Sequence, residues 1–233
     1  MNSYLLSSMN EKFSVIVPTM WRVAHQFTTF LRPLCDNPLV DEIIIINNDT
    51  AKTPKHGLSN PKINVVNFSQ NIYVNPAWNY GVNIAKNKKI CLLNDDITFD
   101  TNLFTKLNDL ITPSNGVFGL YPGDSNFQQA PNTTKNIDIA RQYNSRCMGF
   151  GCLMFLHKDN WRNIPDELKI FYGDDFIFDY HSRALNKPNF IIKNLDFYTP
   201  YSVTSTDLSI TNGFMEREGN SYKNINFNSY CQS

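Results

Sequence analysis

Four short apolar runs, each closing on small polar residues, constrain this chain more than any other feature. They are Phe13 to Val17 (FSVIV, ended by Pro18), Asp41 to Ile46 (DEIIII), Ile63 to Phe68 (INVVNF) and Lys89 to Leu93 (KICLL). Short runs dense in Val and Ile suit strands buried on both faces, the condition of a parallel sheet covered by helices. Two intervening segments carry helical spacing: Trp21 to Leu34, apolar at Val23, Phe27, Phe30, Leu31 and Leu34, and Ala77 to Ala85, apolar at Trp78, Val82 and Ala85. The order strand, helix, strand, strand, helix, strand predicts an α/β fold with a mainly parallel, Rossmann-like central sheet flanked by helices. Ligands of such sheets sit at the carboxyl ends of the strands. The candidate ligand-binding residues are therefore Pro18-Thr19, Asn47 to Thr50, Ser69 to Asn71 and Asn94 to Asp96.

The second half is less periodic. Leu103 to Ile111 and Gly173 to Leu185 read as helices, and Gly116 to Tyr121 and Cys147 to Leu156 as strands. Pro122 to Ser145 reads as a long loop, and the tail from Tyr198 onward shows little periodicity. Neither repeats nor a linker divide the chain, so residues 1–233 are expected to form a single domain.

Composition excludes several function classes. Lys and Arg number 21 against 21 Asp and Glu, and nucleic-acid binding needs a basic surplus, so no nucleic-acid partner is expected. No apolar run approaches the ~18–20 residues of a membrane span, and Met1 to Asn10 lacks the basic start of a signal peptide. Five scattered cysteines (Cys35, Cys91, Cys147, Cys152, Cys231) without C-x-x-C spacing read as reduced thiols in a cytoplasmic protein.

Two acid pairs carry the chemistry. In Leu92-Leu93-Asn94-Asp95-Asp96 a strand delivers carboxylates to its own edge, where a hard cation such as Mg²⁺ or Mn²⁺ would bind with phosphate oxygens. In Phe171-Tyr172-Gly173-Asp174-Asp175 a carboxylate at a helix start is a candidate general base, a role worth about 10²–10⁴ in rate. Each pair alone is also compatible with a turn or a helix cap. No Lys or Arg lies between Phe171 and Tyr180, so the cleft is expected to be locally acidic and to take its positive charge from a divalent ion.

The order of these motifs resembles that of the GT-A nucleotide-sugar glycosyltransferases, the family 2-like group above all, including its compact viral and bacterial members. FSVIVPT is similar to that group's opening strand and IIIINNDT to its second. Asn75-Pro-Ala-Trp-Asn79-Tyr-Gly81 resembles its Asn-x-Gly helix, and LLNDD stands at its D-x-D motif. GFGCLMFLHKDNW followed by FYGDD resembles its acceptor-side strand and Glu-Asp motif.

The resemblance implies a hexosyltransferase-type enzyme that moves a sugar from a UDP- or dTDP-sugar to a hydroxyl of a glycan or other acceptor, with inversion and with Mn²⁺ or Mg²⁺. It implies a nucleotide-sugar half over about 13–100 and an acceptor half over about 101–233, with Asp175, or its neighbour Asp174, as base and Asp96 as metal ligand. Pro18, Thr19, Asn47, Asn48, Asp49, Asn71, Asn79, Asn94 and Asp95 would hold the nucleotide-sugar. The chain departs from the pattern in four places, one of them Trp78, which stands where an Arg commonly precedes the helix Asn. Asn94 replaces the first D-x-D acid, and Asn47 or Asn48 stands where an acid meets uracil, a contact an Asn amide oxygen can also accept. No His comes after His181 to serve as a late metal ligand, and His181 itself is expected on a helix surface. Phe197, Tyr198 and Tyr201 are candidates for a sugar platform.

Three alternatives remain. A sugar-1-phosphate nucleotidyltransferase would carry a Gly-rich basic loop after the first strand, where this chain has Pro18-Thr19-Met20-Trp21-Arg22. A two-metal phosphohydrolase would need more His ligands. A non-catalytic nucleotide-sugar-binding relative is favoured by Asn94 and the missing His.

Overall fold

The structure is a computed structural model that describes residues 11–22, 31–54, 57–121, 137–199 and 208–231. All four apolar runs are strands. β1 (Phe13–Thr19), β2 (Val40–Asn47) and β3 (Ile63–Asn67) are followed by helix α2 (Val74–Ile84) and β4 (Lys89–Leu93). Residues 31–36 form helix α1 before β2, while 23–30 of the expected first helix fall outside the described residues. Pro18 does not end β1: it pairs with Ile46 inside the strand, which runs on to Thr19.

The order in the eight-stranded sheet is β3-β2-β1-β4-β8-β6-β9-β7. β3, β2, β1 and β4 are mutually parallel. β8 (Leu153–His157) runs against both β4 and β6 (Phe118–Leu120), β9 (Asn189–Lys193) is parallel to β6, and β7 (Asp138–Gln142) closes the edge antiparallel to β9. The sheet is thus mostly parallel, with flanking helices. A two-stranded ribbon of β5 (Thr98–Phe99) and β10 (Phe197–Tyr198) lies apart from it.

Alternation explains why the strand runs are continuously apolar. Val15, Val17, Ile43, Ile45, Cys91 and Leu93 pack into one core, and Ile16, Ile44, Ile46, Ile90 and Leu92 into a second on the opposite face. Each fully buried Ile or Val contributes about 1.5–3 kcal/mol of transfer free energy, so apolar residues are favoured at both parities.

Several expectations in the second half require correction. The expected strand from Cys147 begins only at Leu153. Gly149 takes a left-handed conformation (φ 79°), and Phe150–Cys152 form a 3-10 turn. The expected long loop contains β7; its residues 122–136 are outside the described set. Helix α3 (Leu103–Leu107) is shorter than expected. The helix at 173 is α-helical over Gly173–Asp179 (α4) and continues as a π-helix over Tyr180–Ala184. The tail holds a 16-residue helix, α5 (Leu208–Lys223), which periodicity does not reveal.

His181 is buried rather than on a surface. The π turn aims it inward, where Nε2 lies 3.0 Å from the Asn160 carbonyl, and burial lowers its pKa to about 4. Phe197 packs in the core and is no platform residue; Tyr201 lies outside the described residues.

Candidate active site

The carboxyl ends of β1, β2 and β3 are tied together before any ligand arrives. The Asn48 amide donates to the Thr19 carbonyl at 2.9 Å, and the Phe68 amide to that of Asn47 at 3.1 Å. Asn47 is fully buried and its carboxamide is saturated. Nδ2 donates to Thr53 Oγ1 and Asn67 Oδ1, each at 2.7 Å, and Oδ1 accepts from Trp21 Nε1 (2.7 Å) and the Asp49 amide (3.1 Å). Asn47 therefore braces the strand tips. Asn48 Oδ1 accepts from the Ile72 amide, Asn71 Oδ1 from the Tyr73 amide, and Asp49 pairs with Lys52 at 3.0 Å. Asn79 is turned away from this edge: its amide donates to the Ile164 carbonyl and accepts from the Ile164 N–H, both at 2.8 Å.

β4 brings the first acid pair to the same edge. Thr19 Oγ1 donates to Asp95 Oδ2 at 2.5 Å and accepts from the Trp21 amide at 2.9 Å. Burial raises the Asp95 carboxyl, against the pull of the Thr19 bond. Asp96 is raised to about 7, first by burial and then by the Asp95 charge beside it. The Arg22 charge also pulls Asp95 down, so this pair is partly compensated by the chain itself.

The second pair arrives from α4. The Asn94 amide donates to the Cys152 carbonyl at 3.1 Å. Next to Cys152, a Cβ on Gly151 would lie 2.9 Å from the Asp174 carboxyl, so only glycine lets that side chain approach. The Cys152 thiol, pushed up to about 12 by burial, feels both Asp96 and Asp174. The two pairs, far apart in sequence, thus flank one turn of chain.

Arg146 changes the charge expected here. Its Nε lies 2.9 Å from Asp174 Oδ2 and its Nη2 2.7 Å from Asp175 Oδ2. One guanidinium thus partly compensates the Asp174–Asp175 pair from within, which corrects the expectation of a cleft with no cation of its own. Asp174 is raised to about 6 because burial outweighs the Arg146 charge that opposes it. Sequence reasoning misses Arg146, Trp21 and Glu218. The one available signal is that Arg146 is the sole Lys or Arg between Arg141 and Lys158.

Among the described residues no group of three His, Cys, Asp or Glu is placed to hold a metal. The donor set still suits a hard cation. Mg²⁺-type ions are commonly held by one or two carboxylates with the substrate's phosphates completing the shell, and Asp96 with Asp95 provides those two.

A mostly parallel sheet with its strand-edge acid pair is the GT-A architecture of nucleotide-sugar glycosyltransferases, and solved structures of that class superpose on it. GalNAc-T7 crystallised with UDP, GalNAc and Mn²⁺ gives a TM-score of 0.64 at 13% identity, over 82% of this chain and 44% of that one. A mannosyltransferase of Pyrobaculum calidifontis in complex with GDP-Man and Mn²⁺ gives 0.62 at 11%, over 93% and 66%. S. aureus TarS 1-349 with UDP gives 0.57 at 18%, over 81% and 60%. The chain spans less than two thirds of each. The chain belongs to glycosyl transferase family 2, whose sequence profile matches residues 7–178. No curated protein matches it by sequence. Among the described residues no helix is long and apolar enough to cross a membrane.

Proposed function

We propose that this chain is an inverting, divalent-metal-dependent glycosyltransferase that moves a hexose from a UDP- or dTDP-sugar to a hydroxyl of a glycan or other acceptor. The observation that carries this reading is the convergence of Asp95–Asp96 and Asp174–Asp175 on the two sides of Cys152.

The nucleotide lies along the tips of β1 to β4, near Pro18, Thr19, Asn48, Asp49 and Asn71. Asn47 acts beneath them as a brace, and Asn79 only by seating α2. Asp96, with Asp95 beside it and Asn94 adjoining, would hold Mn²⁺ or Mg²⁺ with the donor's diphosphate. When bound, such an ion offsets the charge that builds on the departing diphosphate. Thr19 keeps one Asp95 oxygen occupied and so orients the other. The acceptor oxygen attacks the anomeric carbon from the face opposite the diphosphate. The new C–O bond forms as the bond to the phosphate oxygen breaks, and the nucleoside diphosphate leaves with that electron pair. Asp175 takes the acceptor's proton. Asp174 is the second candidate, because a carboxyl near 6 is matched to proton transfer at neutral pH.

The test is incubation with a panel of UDP-, dTDP- and GDP-sugars and Mn²⁺, scored by release of nucleoside diphosphate. Release from one donor class, lost in Asp96→Ala, is the expected outcome. Nucleotide-sugar binding without release, with or without acceptors, would assign the chain to the non-catalytic relatives. No binding and no release would overturn the reading.

A further inference from the structure

We propose that Glu218, on α5 and beyond the residues the family profile matches, is a positioning residue for the acid pair Asp174–Asp175, acting through the peptide groups of Ile170 and Phe171. The inference rests on the glycosyltransferase reading for its catalytic consequence, and on geometry alone for the clamp.

Glu218 is fully buried. Its Oε2 accepts from the Ile170 amide at 3.1 Å and the Phe171 amide at 2.8 Å, while Oε1 lies 3.3 Å from the Ile170 nitrogen. A buried carboxylate is costly unless compensated, and here two backbone N–H groups provide the compensation. The same segment is gripped from the other side by Asn75 at the start of α2. Its Nδ2 donates to the Leu168 and Phe171 carbonyls, each at 3.1 Å, and its backbone N–H to the Lys169 carbonyl at 3.0 Å. Phe171 is thus held at both its N–H and its C=O, by elements from opposite ends of the chain.

The grip matters because of the next residue. Tyr172 is left-handed (φ 58°), a conformation that costs a non-glycine residue roughly 1–2 kcal/mol and persists only where its surroundings enforce it. Its carbonyl accepts from the Phe176 amide at 2.9 Å and so closes the first turn of α4, the turn that carries Asp174 and Asp175. α5 seats itself on the same residue. A Cβ on Gly219 would lie 2.8 Å from the Tyr172 hydroxyl, and Tyr222 stacks on Tyr172 with ring centroids 5.3 Å apart. Tyr222 also donates to Asp179 Oδ2 at 2.6 Å, at the far end of α4. Glu218, Gly219 and Tyr222 together fix both ends of the helix bearing the acid pair. Asp95 is instead held by Thr19 of β1 and Asp96 by the Thr199 side chain, neither of which belongs to α5.

The experiment compares full-length Glu218→Met and Glu218→Gln with the wild type. Met fills the space without accepting a hydrogen bond. Gln can place its carbonyl oxygen where Oε2 receives both N–H groups. On the donor the wild type turns over, Glu218→Met should lose roughly 10- to 100-fold in kcat, the scale of a small misplacement of catalytic groups. Its KM for the donor should stay within about twofold, and Glu218→Gln should recover most of the loss. Hydrogen exchange should accelerate across residues 170–176 while β1 and β4 stay protected. An unchanged kcat in Glu218→Met, a KM that rises in step with the loss of kcat, or exchange that accelerates throughout the sheet would each overturn the proposal. Should Glu218→Met not fold, Tyr222→Phe must show the same pattern at smaller amplitude, and unaltered kcat and exchange there would count against it. If the wild type turns over no donor, the glycosyltransferase reading fails, while the exchange data still decide the clamp.

Discussion

Arg146 Nη2 lies 2.7 Å from the Asp175 carboxylate, so the proposed base begins the reaction paired with a cation supplied by its own chain. Arg146 also holds Asp174 below the value that burial alone would set. Arg146→Ala should therefore raise Asp174 above about 6. With Asp174, the second candidate, acting as the base, the acidic limb of the pH–rate profile should then move to higher pH, by about 1 unit for loss of a neighbouring opposite charge. Arg146→Lys should move it less. Profiles of kcat/KM from about pH 5 to 9, spanning the carboxyl's titration, provide the measurement.

The two members of the acceptor-side pair should respond differently to neutralisation. Asp175→Asn should cut turnover by about 10²–10⁴ with affinity for nucleotide and Mn²⁺ nearly unchanged, since the proposed metal site is Asp95–Asp96. Asp174→Asn, buried against Gly151, should lose less activity if Asp175 is the base. The reverse ranking in single-turnover rates would transfer the role to Asp174.

Asp96 ties stability to pH in a direction opposite to a salt-bridged carboxylate. Its folded value of about 7 lies above its unfolded one, so its contribution is fully present below about pH 4 and is lost as pH rises through 7. Asp96→Asn should accordingly raise Tm at about pH 8 and leave it unchanged at about pH 4. The gain is at most ~4 kcal/mol for a shift of this size. The same variant should lose Mn²⁺-dependent nucleotide binding. Wild-type binding should itself weaken as pH falls below about 7, where the carboxyl takes up a proton. Thermal melts and nucleotide titrations with and without Mn²⁺ test both halves.

Thr19 spans 76 positions of sequence to reach Asp95. Thr19→Val keeps the shape but takes the hydroxyl from both Asp95 and the Trp21 amide. Stability should fall by about 1–3 kcal/mol, the cost of a buried polar group that loses its hydrogen bond. Nucleotide affinity in Mn²⁺ should fall several-fold as Asp95 loses its orientation. Denaturant unfolding separates the first effect from the second.

The first hundred residues are legible because one physical condition wrote them. Strands covered on both faces must be apolar at nearly every position, so β1, β2, β3 and β4 stand out as short Val/Ile/Leu runs. The polar residues after each run then mark the strand edge, and Asp95–Asp96 stands there. The other half obeys weaker rules. β7 is a partly exposed edge strand, and α5 interrupts its own pattern with Asn212, Gly213, Gly219 and Asn220. Helical periodicity puts His181 toward solvent because it does not anticipate a π turn. Asn47 and Asn79 have side chains that suit a ligand and a backbone equally well, and composition cannot tell which partner they meet.

By itself, the sequence determined the parallel half of the sheet, the position of both acid pairs at element ends and the motif order of the family. Those properties depend on burial and on local chain direction, which are written in consecutive residues. Only the tertiary structure decided that Arg146 pairs with Asp174 and Asp175, that Asn47 braces rather than reaches, and that Glu218 holds the segment before the acid pair. Each depends on contacts between residues distant in the chain. Their energy depends on separations of about 3 Å in a partly desolvated site, and no spacing along the sequence encodes that distance.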